Sequence, residues 1–390
     1  MDRSTLTHVP ADTGWLNDRR VQALAAAFEG APIYLVGGCV RDAVLGVSGG
    51  DVDLATPLLP AEVTRLAEAT GFKVVPTGIE HGTVTVVVDG SGFEITSFRK
   101  DVETDGRRAV VAFSTDMTED ARRRDFTLNA LYATTTGKII DPLGGLPDCL
   151  ARRIRFVGEA SDRIREDYLR ILRFFRFHAW YAAPQDGFDT EALAAIAANT
   201  TGLETLSAER IGSEMRRLLA ASDPCRAVAG MQKTGVLGRL LPGSDPLWLG
   251  PVVHLEGELD LGPDWLRRLV ALGGQDVAAR LRLTRADARS LDTLQEAMSG
   301  MMPLPEIAYR HGYDVAVSAL ILRAAMAGEA IDPKALPPLV EGAKARFPVA
   351  ARDLMPALTG KALGHRLASL EARWIASGFR LSREDLMTPE

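Results

Sequence analysis

Cysteine and lysine are both scarce in this 390-residue chain. The three cysteines, Cys39, Cys149 and Cys225, lie far apart and outside any CxxC or Cys/His cluster. That excludes a disulfide framework and a zinc knuckle, and it suggests a reducing compartment. No window approaches 18 uninterrupted apolar residues, so no membrane span is expected. The first residues carry early acids and no apolar h-region, which argues against a signal peptide. A soluble, cytoplasmic protein is the expectation. There is no global basic field either, because the formal charge is −6. Of the 45 basic residues only seven are lysine. The arginine excess suits phosphate and base-edge recognition, and a high-GC genome gives the same bias.

What is present is an ordinary globular composition, 46% hydrophobic and 25% charged, with length for two or three domains. Residues 17–29 read as a helix. IYLVGG reads as a strand entering a double glycine, VRDAVL as a helix ended by Gly46, and DVDLA as a strand. AEVTRLAEATG is a helix with a glycine stop, followed by the strand-like runs KVVP, TVTVVVD and FEITSF. After about residue 150 the strand signals vanish and helical segments follow one another, with breaks near Asp223-Pro224 and within 240–251. The expected fold class is α+β: a mixed-sheet head followed by an all-helical neck, body and tail.

Three constellations carry chemistry. In the first, Gly37 and Gly38 follow a strand and open a helix, where backbone amides can approach a phosphate, and Arg41 adds a cation in the first turn. Asp51 and Asp53, two apart on a strand, project to one face and suit Mg²⁺ shared with substrate phosphates. GxGxxG is absent, which argues against a dinucleotide-binding opening. In the second, Arg124 and Asp125 precede an apolar stretch, and Asn129 stands at i,i+4 from Asp125. The set could hold a ribose and a phosphate, or Asp125 could be an N-cap.

The third constellation is Glu166, Asp167 and Arg170, continuing to Arg173 and Arg176. A helix with Ile164, Tyr168, Ile171 and Phe175 buried would bring Asp167 and Arg170 together on another face. The pair is either a surface salt bridge or a reader of base edges. A carboxylate beside a guanidinium accepts C and A and rejects U and G. Glu94 is either a third metal carboxylate or an edge-strand glutamate. His81 and Cys39 read as structural. Residues 122–176 carry an excess of five positive charges within an acidic chain, a local foothold for a polyanion.

LVGGCVRDAVLGVSGGDVDLAT, RRDFTLNALY, DPLGGLPDCLARRIRFVG, REDYLRILRFFRF and LSAERIGSEMRRLL, in this order over residues 31–222, resemble the motifs of the tRNA nucleotidyltransferase/poly(A) polymerase family, bacterial class II. The C-terminal segment from FPVAARDL is similar to that of CCA-adding members. The resemblance implies a polymerase-β-like nucleotidyltransferase head (22–150), a helical neck with the base-reading EDxxR motif (151–225) and a tRNA-gripping helical body and tail (226–390). It implies Asp51 and Asp53 as catalytic ligands of two Mg²⁺ ions. Gly37, Gly38 and Arg41 would meet the triphosphate, and Arg124, Asp125 and Asn129 the ribose and phosphate. Glu166, Asp167 and Arg170 match the EDxxR template motif, in which the aspartate and arginine meet the incoming base, and Arg173 is a further nucleotide-binding candidate. Residues 101–110 resemble the flexible loop that CCA-adding members use in changing from C to A addition. The implied function is template-independent repair of the tRNA 3′-CCA end with CTP and ATP. Poly(A) synthesis, CC-only or A-only addition and a catalytically dead tRNA-binding protein are the alternatives. No membrane or protein partner is implied. The chain departs from the family pattern at Tyr168, where proline is usual, at Cys149 (leucine) and at Gly50 (lysine).

Overall fold

The computed structural model describes residues 6–47, 49–105 and 108–388, and over 101–111 the backbone alone. Short apolar strands and glycine-ended helices alternate first. Helix α1 (Arg19–Ala27) leads to β1 (Tyr34–Val36), α2 (Gly38–Leu45), β2 (Asp53–Thr56) and α3 (Pro60–Ala69). Then come β3 (Lys73–Gly78), β4 (Thr83–Val88), β5 (Ser91–Ser97), β6 (Arg99–Asp105), β7 (Arg108–Phe113), α4 (Met117–Arg122), β8 (Tyr132–Thr134) and β9 (Ile139–Ile140). Seven strands form one sheet in the order β3-β4-β5-β2-β1-β8-β9, while β6 and β7 pair separately. The β2–β5 pair is parallel, so the sheet is mixed, as expected.

Period-two burial explains the strands. Val84, Val86 and Val88 of β4 face inward, as do Phe93 and Ile95 of β5. Val21 and Leu24 of α1 and Val63 and Ala67 of α3 are likewise buried. On another part of the sheet, Val36, Ala55, Phe98, Ala130 and Tyr132 pack with Ala121 and Val157. Gly46 ends α2 with φ of 71°, the left-handed stop that glycine adopts without strain.

Beyond β9 the described chain is helical: α5 (Leu146–Leu150), α6 (Ala160–Glu166), α7 (Leu169–Tyr181), α8 (Thr190–Ala198), α9 (Ala208–Leu219), α10 (Cys225–Lys233) and α11 (Val236–Leu240). Nine further α-helices follow among the described residues, from Leu249–Glu258 to Arg383–Met387. An aromatic cluster ties the sheet-bearing part to α7. Phe126 lies 5.1 Å from Phe156 and 5.0 Å from Phe177, and Phe156 stacks on Phe174 at 5.6 Å between ring centres.

Two compact units result. The first comprises Met1–Leu218 and Arg226–Leu240, the second Leu219–Cys225 and Leu241–Glu390. The chain enters the second unit for Leu219–Cys225, returns to the first at Arg226 and leaves it finally after Leu240. The second unit is organised around Glu256, which receives Arg268 at 2.7 Å and Arg267 at 3.1 Å. A separate cluster there surrounds Trp374, Leu370 and Leu386.

Three expectations need correction. The strand expected from Asp51 begins at Asp53, so Asp51 stands just outside it. The region 101–110, read as a loop, is a β6–β7 ribbon paired from Arg99↔Phe113 to Asp105↔Arg108, while Gly106 and Arg107 lie outside the described residues. The helix expected through Tyr168 breaks there: α6 ends at Glu166, Asp167 is extended (φ −153°, ψ 106°), and α7 starts at Leu169. Ile164, Ile171 and Phe175 are fully buried as expected, whereas Tyr168 is half-buried.

The aromatic cluster also holds a histidine. His178 is 6% exposed and stacks on Phe188 at 3.9 Å, and burial lowers its pKa to about 4 from 6.5. The unfolded chain therefore binds a proton near pH 6.5 that the folded chain refuses until about pH 4. Stability should fall as pH drops through that window, by up to about 1.4 kcal/mol per pH unit from this group. His178→Phe should flatten the slope in urea unfolding measured between pH 4 and 6.5. An unaltered slope would remove His178 from the account.

Candidate nucleotidyltransferase site

Strand β1 delivers the chain to a turn that requires glycine. Gly37 has φ 69° and ψ −119°, and a Cβ there would lie 3.2 Å from Arg124 Nη1. Gly38 then opens α2, whose first amides have no intrahelical partners and face outward at the turn. Arg124 is held over this turn by Asp120, which accepts from Nη2 at 3.1 Å, while Nε donates to the Tyr132 hydroxyl at 3.2 Å. Asp120 is 1% exposed and also accepts from Tyr132 at 2.6 Å and Arg123 at 2.7 Å. Burial pushes its pKa up, but Arg124, Arg123 and the Tyr132 hydroxyl outweigh this and hold the carboxyl below its usual value. Sequence reading passed over Asp120. Its signal was present as the i,i+3 and i,i+4 spacing to Arg123 and Arg124.

The carboxylates face the opposite situation. Asp53 begins β2 and stands in register with Glu94 on the parallel neighbour β5. Since β5 lies between β4 and β2, Glu94 is on an interior strand and the edge-strand alternative is excluded. Asp51, Asp53 and Glu94 are all solvent-accessible. Partial burial raises the Asp53 pKa, and repulsion from Glu94 and then Asp51 raises it further, with Arg124 opposing. Among the described residues no cation forms an ion pair with any of the three.

This donor set fits a divalent cation. The repulsion on Asp53 is the kind a bound cation relieves, and Mg²⁺ is usually held by one or two carboxylates together with substrate phosphates. Among the described residues no group of three or more acidic, His or Cys side chains is arranged to hold a metal by itself. Asp51 and Asp53 would therefore supply the protein's share, with Glu94 beside them.

Arg41 is 5% exposed and heavily engaged. It donates to Asp42 at 2.9 and 3.0 Å, to Asn129 Oδ1 at 2.6 Å and to the Tyr181 hydroxyl at 2.7 Å. Its guanidinium also sits 4.0 Å from the Tyr181 ring centre. Asn129 in turn donates to Asp125 at 2.9 Å, through a single 3-10 turn (Thr127–Asn129) rather than the helix expected there. Asp125 is not that turn's N-cap, a place Phe126 takes. Its other oxygen accepts Arg173 Nε at 2.7 Å. Burial raises the Asp125 pKa, but Arg173 and Asn129 outweigh it and leave it lowered. Glu214 continues the chain with Arg173 at 4.0 Å and Arg176 at 2.6 Å. A buried charged relay thus runs from α2 to α9.

The expected Asp167–Arg170 pairing is not made. With the helix broken between them, Asp167 receives Arg210 of α9 at 2.7 Å, and Arg170 turns to Glu166 at 2.5 Å. Arg170 also donates to the carbonyl of Arg163 at 2.7 Å and to that of Arg123 at 3.1 Å. Arg163 pins the carbonyls of Arg123 and Arg124 as well. Tyr181, Arg163 and Arg210 are further site residues that sequence reading missed, because their partners are 39 to 140 residues away. Cys39 and His81, read as structural from the sequence, take no part in this arrangement among the described contacts. Burial pushes the Cys39 thiol up to about 11, and the exposed His81 ring lies 3.9 Å from Glu80.

A sheet end with paired carboxylates beside a glycine phosphate turn defines a nucleotidyltransferase head. Residues 33–155 match the poly A polymerase head domain, and residues 187–247 match the "Probable RNA and SrmB- binding site of polymerase A". The human mitochondrial CCA tRNA nucleotidyltransferase 1 is 40% identical over 195 residues, 50% of this chain and 45% of that protein. The chain thus spans under half the length of the mitochondrial relatives it matches. The CCA-adding enzyme of Geobacillus thermodenitrificans is 35% identical over 320 residues, covering 78% of this chain and 77% of that one. The crystal structure of the Bacillus stearothermophilus CCA-adding enzyme in complex with CTP superimposes with a TM-score of 0.70 at 27% identity, over 92% of this chain and 94% of that one. The chain belongs to the CCA-adding enzyme family of tRNA nucleotidyltransferases. Among the described residues no helix is long and apolar enough to cross a membrane.

The Asp120 anchor has a measurable consequence. Asp120→Asn should cost about 1–3 kcal/mol at pH 7, since it leaves Arg123 and Arg124 without their buried charge partner. A lowered folded pKa means the contribution is complete above the ordinary value of 3.8 and is lost as pH falls through the folded value. Denaturant unfolding of parent and variant should therefore differ at pH 7 and converge in acid. Curves equally separated at both ends would contradict the assignment.

Proposed function

We propose that this chain rebuilds the 3′-terminal CCA of tRNA, adding C and A from CTP and ATP without a template and releasing pyrophosphate. The observation that carries this reading is the alignment of Asp53 with Glu94, next to Asp51, in front of the Gly37–Gly38 turn and Arg124. Two Mg²⁺ ions held by Asp51 and Asp53 would lower the pKa of the primer 3′-hydroxyl and offset charge on the leaving pyrophosphate. The turn's amides receive the triphosphate, and Arg124, fixed by Asp120, faces the same space. Asp125 and Asn129 position the ribose. Arg41 acts as it stands by holding the turn to Asn129 and Tyr181, and a contact with phosphate would require it to give up one of these partners.

Selection of C and A falls to Asp167 and Arg170. Each has a partner now, Arg210 and Glu166 respectively, so reading a base means exchanging a protein partner for a base edge. A cytoplasmic location goes with this reading.

The decisive test offers tRNAs ending before CCA, at C and at CC, with each NTP, and sequences the products. Ordered C, C, A addition is expected. Runs of A would indicate poly(A) synthesis, and no addition at all would sink the proposal. Asp53→Ala should lower incorporation to below about one-hundredth of the parent with tRNA affinity retained. Arg170→Ala should relax base choice, admitting UMP or GMP by roughly 10- to 150-fold over the parent. Unchanged selectivity would move base reading elsewhere.

A further inference from the structure

The stripe of α7 that carries Arg170, Arg173 and Arg176 continues to Trp180. It lies four residues past Arg176 and seven past Arg173, on the same helix face. At 1.5 Å per residue it stands about 10 Å along the axis from Arg173. Phe174, Phe175 and Phe177 on α7 are buried, whereas Trp180 is 48% exposed. Its ring is nevertheless fixed, because the indole N–H donates to the carbonyl of Arg217 on α9 at 2.8 Å. An open aromatic face is therefore held in one orientation at the end of the stripe.

Charge rather than apolar surface surrounds the ring: Arg176, paired with Glu214 at 2.6 Å, stands one turn back on α7. Arg217, whose carbonyl holds the indole, is exposed. Burial lowers the Arg176 pKa, Glu214 opposes this, and the nearby Arg173 and Arg217 lower it further. A protein partner would gain little from one ring set among arginines, whereas a nucleic acid strand offers a π face and a phosphate together. Paired bases in a helix stem hide their faces in the stack, so the partner is unpaired.

We infer that Trp180 is a stacking platform for an unpaired base at the 3′ end of the RNA primer, with Arg217 facing the adjoining phosphate. The inference rests on the proposed reaction and deepens it by naming a primer subsite.

The test measures anisotropy with two labelled tRNA transcripts, one ending in its unpaired 3′ nucleotides and one trimmed back to the last base pair. Trp180→Ala should weaken binding of the first by about 5- to 150-fold and leave the second unchanged. Trp180→Phe should stay within about threefold of the parent, and Trp180→Leu, which keeps apolar bulk without a π face, should behave like alanine. Equal losses on both transcripts, or none, would overturn the platform, as would a leucine variant that binds like the parent. Nucleotide incorporation by the parent is followed in the same preparations. A Trp180-dependent preference for the unpaired end without incorporation would sustain the platform and refute the reaction.

Discussion

Asp125 is the charge on which both sides of the candidate site lean. One oxygen receives Asn129, which holds Arg41 and through it the glycine turn, and the other receives Arg173 of α7. Arg41 reaches α7 a second time through Tyr181. Burying so many charges is costly unless each has its partner, and removing one member leaves the next uncompensated. The relay therefore sets the position of the phosphate turn relative to the neck, and Phe126, Phe156 and Phe177 fill the apolar space beside it. The sheet-bearing part and the first neck helices accordingly fall into one compact unit.

The acidic residues divide into two electrical states. Asp120 and Asp125 are buried, fully partnered and held below the usual carboxylate range. Asp53 is accessible, repelled by two other carboxylates and held above it. Structural carboxylates carry their counter-charge within the protein, whereas a ligand for a transient cation must lack one. Arg124 acts on both Asp120 and Asp53, and the contrast between the two is of the kind that sets scaffold apart from a candidate reactive edge.

Much of this was legible in the sequence because it is local. A strand, two glycines and a helix announce the phosphate turn, and the Asp51/Asp53 spacing announces a carboxylate pair. Glu94 stayed ambiguous because its meaning depends on the parallel register with β2, which no local pattern encodes. The Asp167–Arg170 pairing was misread because helical periodicity continues through Tyr168 while the backbone does not. Without the proline usual at that position, the break left no mark. The β6–β7 ribbon was missed for a related reason: the charged residues of DVETD break the apolar alternation by which a strand is read, while the backbone pairs from Arg99↔Phe113 to Asp105↔Arg108. Tyr181 and Arg210 act across long stretches of chain, where a single sequence carries no signal, and Arg163 adds to its local partner Glu166 two carbonyls 39 and 40 residues away.

The central claim is that Asp125 couples the head to α7 as one charged network. A double-mutant cycle of Asn129→Ala and Arg173→Met, read by urea unfolding at pH 7, tests it most directly. The account predicts strong non-additivity, with a coupling of about 1–3 kcal/mol, since either change alone already breaks the relay at Asp125. Costs that add to within about 0.5 kcal/mol would show two independent contacts, and the network would not exist.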